Sequence, residues 1–330
     1  MGNLMSERYG LKILREDGSV FHLDSQATVS KIIGAGQVPP RKQGLQISPW
    51  NSGVKVPVGW DFYCWLSEPV GFYDSGNYPR YMASLNANRE VIISTTKSDR
   101  LIPRMFFTVI GWLLPGNKQG RYGLEILNGS ALFQLTGQTD FSTELYRGEV
   151  NVTWGWSPSH INSAFNRQNT ICFFYTTDKN VCISGNVDAQ ESAGYYPIDA
   201  AGNATSVVAK VVIFGLRNGS ATLKTDRYGL EIFNAGVRVY NSGWRMLTKP
   251  KLVSLAGMAQ GAMTGVAGVK RPMYSPATCG GYDNRQLYQV SDGYSIGPGM
   301  GVSYRYGSRG PWGVVDTPLM VLDAEDYFAF

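Results

Sequence analysis

Few residues in this sequence have the type and spacing that catalysis requires. The 330 residues include only two histidines, His22 and His160, so histidine-based metal sites and catalytic triads have little material. The stretch GYSIG at residues 293–297 matches the nucleophile-elbow pattern around Ser295. That architecture needs a helix after the serine and a histidine later in the chain. A Pro-Gly pair follows the stretch and both histidines precede it, so we expect no catalytic serine.

Acidic residues offer a second route to catalysis. Asp283 and Asp292 lie among aromatic residues near the end of the chain, and paired carboxylates could hydrolyse a polysaccharide. Isolated acids in Gly-rich sequence more often form turns, so we favour a turn-forming role. The glycines at 297–301 lack the Lys-Ser/Thr that completes a phosphate-binding loop. We expect no enzyme and no catalytic, metal-binding or cofactor-binding residue, and a polysaccharide-degrading enzyme stays an alternative interpretation.

The four cysteines do not indicate a zinc site, because none belongs to a closely spaced C-x-x-C pair. In the stretch ICFFYTTDKNVCIS, a hairpin that turns at Thr177 would place Cys172 opposite Cys182. Such cross-strand neighbours can form a disulfide. We favour two buried, reduced thiols, as is usual for a protein made in a reducing cytoplasm, and leave the bridge open.

Aromatic residues are the remaining candidates for a binding role. The sequence contains 19 tyrosines and 8 tryptophans, and we expect most of them in the core. The C-terminal third, however, carries several in Gly-rich sequence that is typical of loops. Exposed aromatic side chains on loops are common in recognition surfaces, including those that bind sugars. The candidate binding residues are Tyr282, Tyr288, Tyr294 and Trp312.

Composition excludes other classes of partner and location. The net charge of +5 is modest and includes no Lys/Arg block, so we do not expect a nucleic-acid partner. Residues 1–10 are polar and lack the apolar core of a secretory signal, so we expect none. The most apolar small-residue stretch, 252–269, is interrupted by four glycines, and we expect no membrane span.

The elements that carry these residues are repeated along the chain. The pattern R-Y-G-L-[KE]-I begins at Arg8, Arg121 and Arg227, at intervals of 113 and then 106 residues. Large apolar residues alternate with smaller or charged ones, which is the period of a half-buried strand. A turn rich in Gly or Asn and a second alternating run follow in each copy. The pattern predicts an antiparallel β-hairpin at the start of each copy.

Further strands must cover each hairpin, because a single hairpin is marginally stable in water. Apolar runs rich in β-branched and aromatic residues are suited to this role. Many short strands with few amphipathic helical patterns predict an all-β protein of three tandem β-sandwich-like modules. We predict core strands at residues 61–66, 90–94, 105–114, 170–175 and 207–216.

The repeat places the expected modules at residues 1–120, 121–226 and 227–330. The third departs from the others after its hairpin, because residues 255–313 are rich in Gly, Ala, Met and Tyr. We expect this insertion either to form long loops that elaborate the third module or to become ordered only in an oligomer.

The segment RYGLEIFNAGVRVYNS, beginning at Arg227, resembles an opening motif of minor tail and tail-tip proteins of tailed bacteriophages. In those proteins a Y-G-L-x-[IV]-[FL] stretch precedes a turn and a second strand that ends near an Asp/Asn-Ser pair. Asp24-Ser25 and Asn241-Ser242 fit this ending, whereas the second copy has Thr136-Gly137. The resemblance covers only the hairpin of each copy, and it carries over no catalytic or ligand-binding residue.

The resemblance implies a virion structural protein at the tail tip or in a tail fibre, made in the bacterial host cytoplasm. The partners it implies are copies of the chain itself in a homo-oligomer and other tail proteins. A bacterial surface receptor or glycan is a further expected partner, through a role in host attachment. A lectin-like adhesin that uses the aromatic loops of the third module is the alternative interpretation.

Overall fold

The computed structural model consists of short antiparallel strands. Its described residues contain two 3-10 helices and no α-helix, so the predicted all-β class is confirmed. Both predicted module boundaries, and the Arg-Tyr pairs that open the three motifs, lie outside the described residues. The structure describes residues 10–14, 20–24, 29–39, 45–71, 77–96, 101–114, 123–128, 131–136, 142–185, 194–215, 231–234, 237–241, 243–283, 285–303 and 310–330.

For reference we divide the described chain into a first part (10–114), a second part (123–215) and a third part (231–330). The strands of the first part are β1 (Gly10–Leu14), β2 (Val20–Asp24), β3 (Lys31–Gln37), β4 (Leu45–Ile47), β5 (Trp50–Lys55), β6 (Trp60–Leu66), β7 (Tyr81–Leu85), β8 (Glu90–Thr95), β9 (Leu101–Pro103) and β10 (Phe106–Leu113).

The second part contains β11 (Gly123–Asn128), β12 (Ala131–Thr136), β13 (Thr143–Val152), β14 (Thr170–Tyr175), β15 (Val181–Ser184), β16 (Tyr196–Asp199) and β17 (Val207–Gly215), with a 3-10 helix at Pro158–His160. The third part contains β18 (Glu231–Asn234), β19 (Val237–Asn241), β20 (Lys251–Val253), β21 (Pro272–Tyr274), β22 (Thr278–Asp283), β23 (Arg285–Ser291), β24 (Ile296–Ser303), β25 (Gly310–Val314) and β26 (Leu319–Asp323), with a 3-10 helix at Ala324–Asp326.

Three antiparallel hairpins occur where the repeated motif predicts them. β1 pairs with β2, β11 with β12, and β18 with β19, and β2 lies next to β11. The hairpin predictions are therefore confirmed, as are the predicted core strands, which correspond to β6, β8, β10, β14 and β17. In each hairpin the motif isoleucine lies opposite an aromatic residue: Ile13 opposite Phe21, Ile126 opposite Phe133, and Ile232 opposite Tyr240.

The same three-strand order recurs after each hairpin. The last strand of each part lies in the centre. The first strand after the hairpin pairs with it on one side, and a strand from the middle of the part pairs with it on the other. This gives the orders β3-β10-β6, β13-β17-β14 and β20-β26-β21. The second and third sets join into one six-stranded sheet, because Phe174 of β14 lies opposite Tyr274 of β21. The number of tandem modules stays a prediction.

The long apolar runs arise because the central strands are buried on both faces, as continuous apolar strands usually are. Along β14, Cys172 and Phe174 pack into a core confined to the second part, whereas Phe173 and Tyr175 pack into a larger cluster. β17 alternates between the same two cores, since successive side chains point to opposite faces. The larger cluster draws on all three parts, with Ile32, Phe214 and Leu322 among its members.

The Gly-rich insertion predicted at 255–313 is more regular than expected. Residues 254–271 consist mainly of turns, but β22 to β25 form a four-stranded sheet in the order β24-β23-β22-β25. The prediction of loops is therefore wrong for these strands. Their glycines permit close backbone approach, which a sequence pattern cannot distinguish from flexibility. A Cβ atom on Gly280 would lie 2.9 Å from the Val314 Cα atom and closer still to the Gly313 carbonyl oxygen.

The predicted hairpin at Thr177 is wrong, because β14 and β15 belong to different sheets. Cys172 packs with Phe174 in the core of the second part, whereas Cys182 packs with Ile198 in another cluster. All four cysteines are free and buried. Burial raises the pKa of the Cys172 and Cys182 thiols to about 12, so both are protonated and weakly nucleophilic at neutral pH.

Candidate functional site: the junction and the aromatic surface

The segments that follow the three hairpins meet and bond to one another. The Ser30 backbone N–H donates to the Leu247 carbonyl at 2.8 Å, and the Leu247 N–H donates to the Ser142 carbonyl at 2.8 Å. The Ile32 N–H donates to Ser142 Oγ at 2.8 Å. Each part is therefore bonded to the other two directly after its hairpin. We call this region, together with the buried contacts described below that join the parts, the junction.

A buried arginine joins the first and second parts. Arg167, only 2% exposed, places its guanidinium carbon 4.2 Å from the ring centre of Phe106 and 4.6 Å from that of Tyr195. Its Nη1 donates to the carbonyls of Gly185 and Gly194, the latter at 3.2 Å. A desolvated cation against aromatic faces is strongly held, so Arg167 fixes the two parts against each other.

Polar side chains join the first and third parts. Gln286 Nε2 donates to Glu68 Oε1, and the Tyr288 hydroxyl donates to Gln286 Oε1 at 3.4 Å. Burial, reinforced by the nearby Glu68 carboxylate, raises the pKa of Tyr288. Tyr288 lies on β23 and is fully buried, so its predicted place on an exposed loop is wrong. β23 is buried on both faces from Gln286 to Ser291, so the Tyr288 side chain packs in the interior, where it belongs to the junction.

Two other predicted binding residues form a pair on neighbouring strands. Tyr282 ends the regular part of β22 and is 40% exposed, and Trp312 lies on β25. Their ring centres are 5.8 Å apart with a tilt of 54°. The Trp312 indole N–H donates to the Met258 carbonyl at 3.0 Å and the ring is partly buried. Trp312 therefore supports Tyr282 and ties β25 to the preceding turns.

The fourth predicted residue, Tyr294, belongs to a separate group built around Arg271. Tyr294 is 63% exposed, and its ring centre lies 5.0 Å from the Arg271 guanidinium carbon. The same guanidinium lies 4.2 Å from the ring centre of Phe330, which also has the Lys210 ammonium at 4.9 Å. Arg271 Nη1 contacts the Tyr175 hydroxyl at 3.2 Å. We call Tyr294, Arg271, Phe330 and Lys210 the aromatic-cation cluster.

The sequence indicated only one member of this cluster. Lys210 comes from β17, Arg271 from the segment before β21, and Phe330 from the final residues. The one local signal is the pair of phenylalanines at positions 328 and 330, because large aromatic side chains usually pack against other groups. Their cationic partners could not be found from spacing.

The end of β26 and the turn that follows it hold the segment that carries Arg271, a member of the aromatic-cation cluster. Asp323 accepts hydrogen bonds from the backbone N–H groups of Lys270, at 2.8 Å, and Arg271, at 3.2 Å. Arg245 Nη1 donates to the Asp326 carbonyl at 2.6 Å. Partial desolvation, with the nearby Asp323 carboxylate, raises the pKa of the Asp326 side chain to about 6, although the residue is exposed. This acid lies beside Asp323 and Glu325, the carboxylates that hold Lys270 and Arg271.

The described residues give little material for catalysis. Asp292 Oδ1 accepts the backbone N–H groups of Tyr294 and Ser295, at 2.9 and 2.7 Å, which is the turn-forming role favoured above. Asp283 ends β22 with a positive φ of 54°. Within the described ranges, no group of three or more His, Cys, Asp or Glu residues could hold a metal ion. No helix in that part of the chain is long and apolar enough to cross a membrane.

The chain matches the model of a known protein family. Residues 10–296 match the "Family of unknown function (DUF6453)", which covers most of the chain, including all three hairpins and the junction. No curated protein and no solved structure matches the chain.

Proposed function

We propose that this chain, which belongs to the family of unknown function DUF6453, is a structural protein of a bacteriophage tail, at the tail tip or in a tail fibre. The observation that carries the proposal is the motif hairpin. It resembles the opening motif of minor tail and tail-tip proteins, and it occurs three times around one junction. Its proposed location is the virion tail, after synthesis in the bacterial host cytoplasm.

The interior of the molecule supports a structural role. The larger apolar cluster contains residues from all three parts, so each part packs against the others. Buried polar groups at Arg167 and Gln286 add directional contacts between the parts. A body of this kind suits a component that transmits force and presents surfaces to neighbours. Its proposed partners are copies of itself and other tail proteins.

The test is whether the protein is part of the particle. Phage particles produced by the strain that encodes the chain would be purified by density gradient and examined by quantitative mass spectrometry. We expect the chain in a fixed ratio to the tail-tube protein, and particles from a deletion strain to lack a tail tip or fibre in electron micrographs. Recovery of the chain only from the cytosol, with deletion particles intact and infectious, would contradict the proposal.

Matched variants sharpen this experiment. Arg167→Ala removes a junction contact and should reduce incorporation of the chain into particles. Tyr294→Ala changes an exposed ring outside the junction and should leave incorporation unchanged.

A second candidate function is host attachment through a surface glycan. The observation that favours it is the Tyr294 side chain, which is 63% exposed. A hydrogen bond to Asp292 holds the backbone of Tyr294, and Arg271 packs against one face of its ring. Particles that carry Tyr294→Ala should assemble normally but adsorb to host cells more slowly. Unchanged adsorption would contradict this second function and leave the structural one intact.

A further inference from the structure

Tyr294 is held rigidly while it remains exposed. The Asp292 carboxylate accepts two backbone N–H groups of its turn, and the Gly293 N–H donates to Ser291 Oγ at 3.0 Å. Gly293 has a φ of 94°, which glycine adopts without strain, and a Cβ there would lie 2.8 Å from the Tyr175 hydroxyl. The turn is therefore specific in both conformation and packing.

The Arg271 side chain, which packs against the Tyr294 ring, is fixed as well. Arg271 lies between Tyr294 and Phe330, at 5.0 and 4.2 Å from their ring centres. Its Nε is 3.4 Å from Glu325 Oε1, and Glu325 also holds the Lys270 ammonium at 2.8 Å. One face of the Tyr294 ring is thus occupied by a cation. A ligand that stacks on the ring would meet a surface that loses little conformational entropy on binding.

Charges around the ring are balanced. The cations Lys210, Lys270, Arg271 and Arg245 are accompanied by the carboxylates Asp292, Asp323, Glu325 and Asp326. A balanced site does not select a strongly anionic or cationic ligand. A purely apolar ligand would also fit poorly, because the exposed rings of Tyr294 and Phe330 lie among charged groups that must stay hydrated.

We propose that Tyr294 and the Lys270–Glu325 pair form a binding site for a neutral pyranose ring of a glycan, a proposal that rests on the second candidate function. A pyranose has an apolar face of C–H groups that can lie on an aromatic ring, and hydroxyl groups at its edge. Lys270 can donate to such hydroxyls and Glu325 can accept from them. Tyr282 is a weaker candidate, because it is less exposed and one side of its ring packs against Trp312.

The test uses the full chain and four defined sugars: the methyl α-glycosides of glucose, galactose and mannose, and N-acetylglucosamine. Each is added at about 5 mM, above the roughly millimolar Kd that one stacked ring supports, and followed by saturation-transfer NMR. We expect transfer to the C–H protons of at least one sugar. Tyr294→Ala should weaken this binding about tenfold, whereas Tyr294→Phe should retain it.

Tyr282→Ala serves as the matched control, since it removes an exposed tyrosine outside the site, and it should leave the transfer unchanged. All three variants should melt within a few degrees of the parent, because neither ring is buried. No transfer to any of the four sugars would overturn the proposal. So would equal transfer in Tyr294→Ala, or preferential binding of methyl glucuronide over its neutral counterpart. Incorporation of Tyr294→Ala into particles tests the structural function separately.

Discussion

Arg167→Ala should destabilise the protein by about 4 kcal/mol. The side chain is buried at the interface of the first and second parts, where it contacts Phe106, Tyr195 and, at 5.9 Å, Trp65. A desolvated cation–π contact contributes about 2 kcal/mol or more, and a hydrogen bond from a charged donor about 1.5–3 kcal/mol. The cost of burying the charge offsets part of this sum, whereas the Gly185 and Gly194 carbonyls lose their donor, at about 1–3 kcal/mol each if water does not replace it.

Two further substitutions distinguish the contribution of the Arg167 charge to stability from the contribution of its volume. Arg167→Lys keeps the charge but loses the planar fork that reaches the Gly185 and Gly194 carbonyls, so it should cost about half as much as Arg167→Ala. Arg167→Met keeps much of the volume against the rings but leaves both carbonyls without their donor, at about 1–3 kcal/mol each if water does not enter.

Urea unfolding followed by tryptophan fluorescence is the assay, with the free energy of unfolding extrapolated to water. Trp65 lies in the same contact and contributes to this signal together with the other seven tryptophans. A loss below about 1 kcal/mol for Arg167→Ala would refute the reasoning. Arg167→Met at least as stable as the parent would show that packing alone carries the contact.

Other predictions follow from single contacts. The raised pKa of Asp326, about 6 against an ordinary value of 3.8, means that the folded state binds the proton more tightly than the unfolded state. This group therefore adds stability at low pH that is lost as the pH rises from about 4 through 6. Because Asp326 is exposed, solvent screening reduces the effect, and Asp326→Asn should stabilise the protein at pH 7.5 by up to about 1 kcal/mol and flatten this dependence in urea titrations. Gly280→Ala should lower stability by about 1–3 kcal/mol because its methyl group would meet backbone atoms, whereas Gly265→Ala, with open space around it, should stay within about 0.5 kcal/mol in the same assay. Thiol titration of denatured protein purified without reductant should return four free thiols, and a count of two would contradict the four free cysteines of the structure.

Local sequence was sufficient for the elements whose physics is local. The hairpins were predictable because alternation and a Gly- or Asn-containing turn specify strand, reversal and strand within about fifteen residues. The continuous apolar run at residues 170–175 was predictable as a strand, since β-branched and aromatic residues favour an extended, buried backbone. Together these features determined the all-β class.

Tertiary structure decided where the side chains and strands went. Cys172 and Cys182 lie on strands near each other in sequence, yet β14 and β15 enter different sheets, because sheet partners are chosen by packing between distant segments. Tyr288 and Tyr294 occur in similar sequence, but one points inward from a strand and the other lies on an exposed turn. Arg167 has no local sign of burial, because the rings that surround its charge come from residues far away in the chain. Composition and alternation are summed over neighbours in sequence, whereas burial of a charge or exposure of a ring depends on which distant surfaces the fold brings against it.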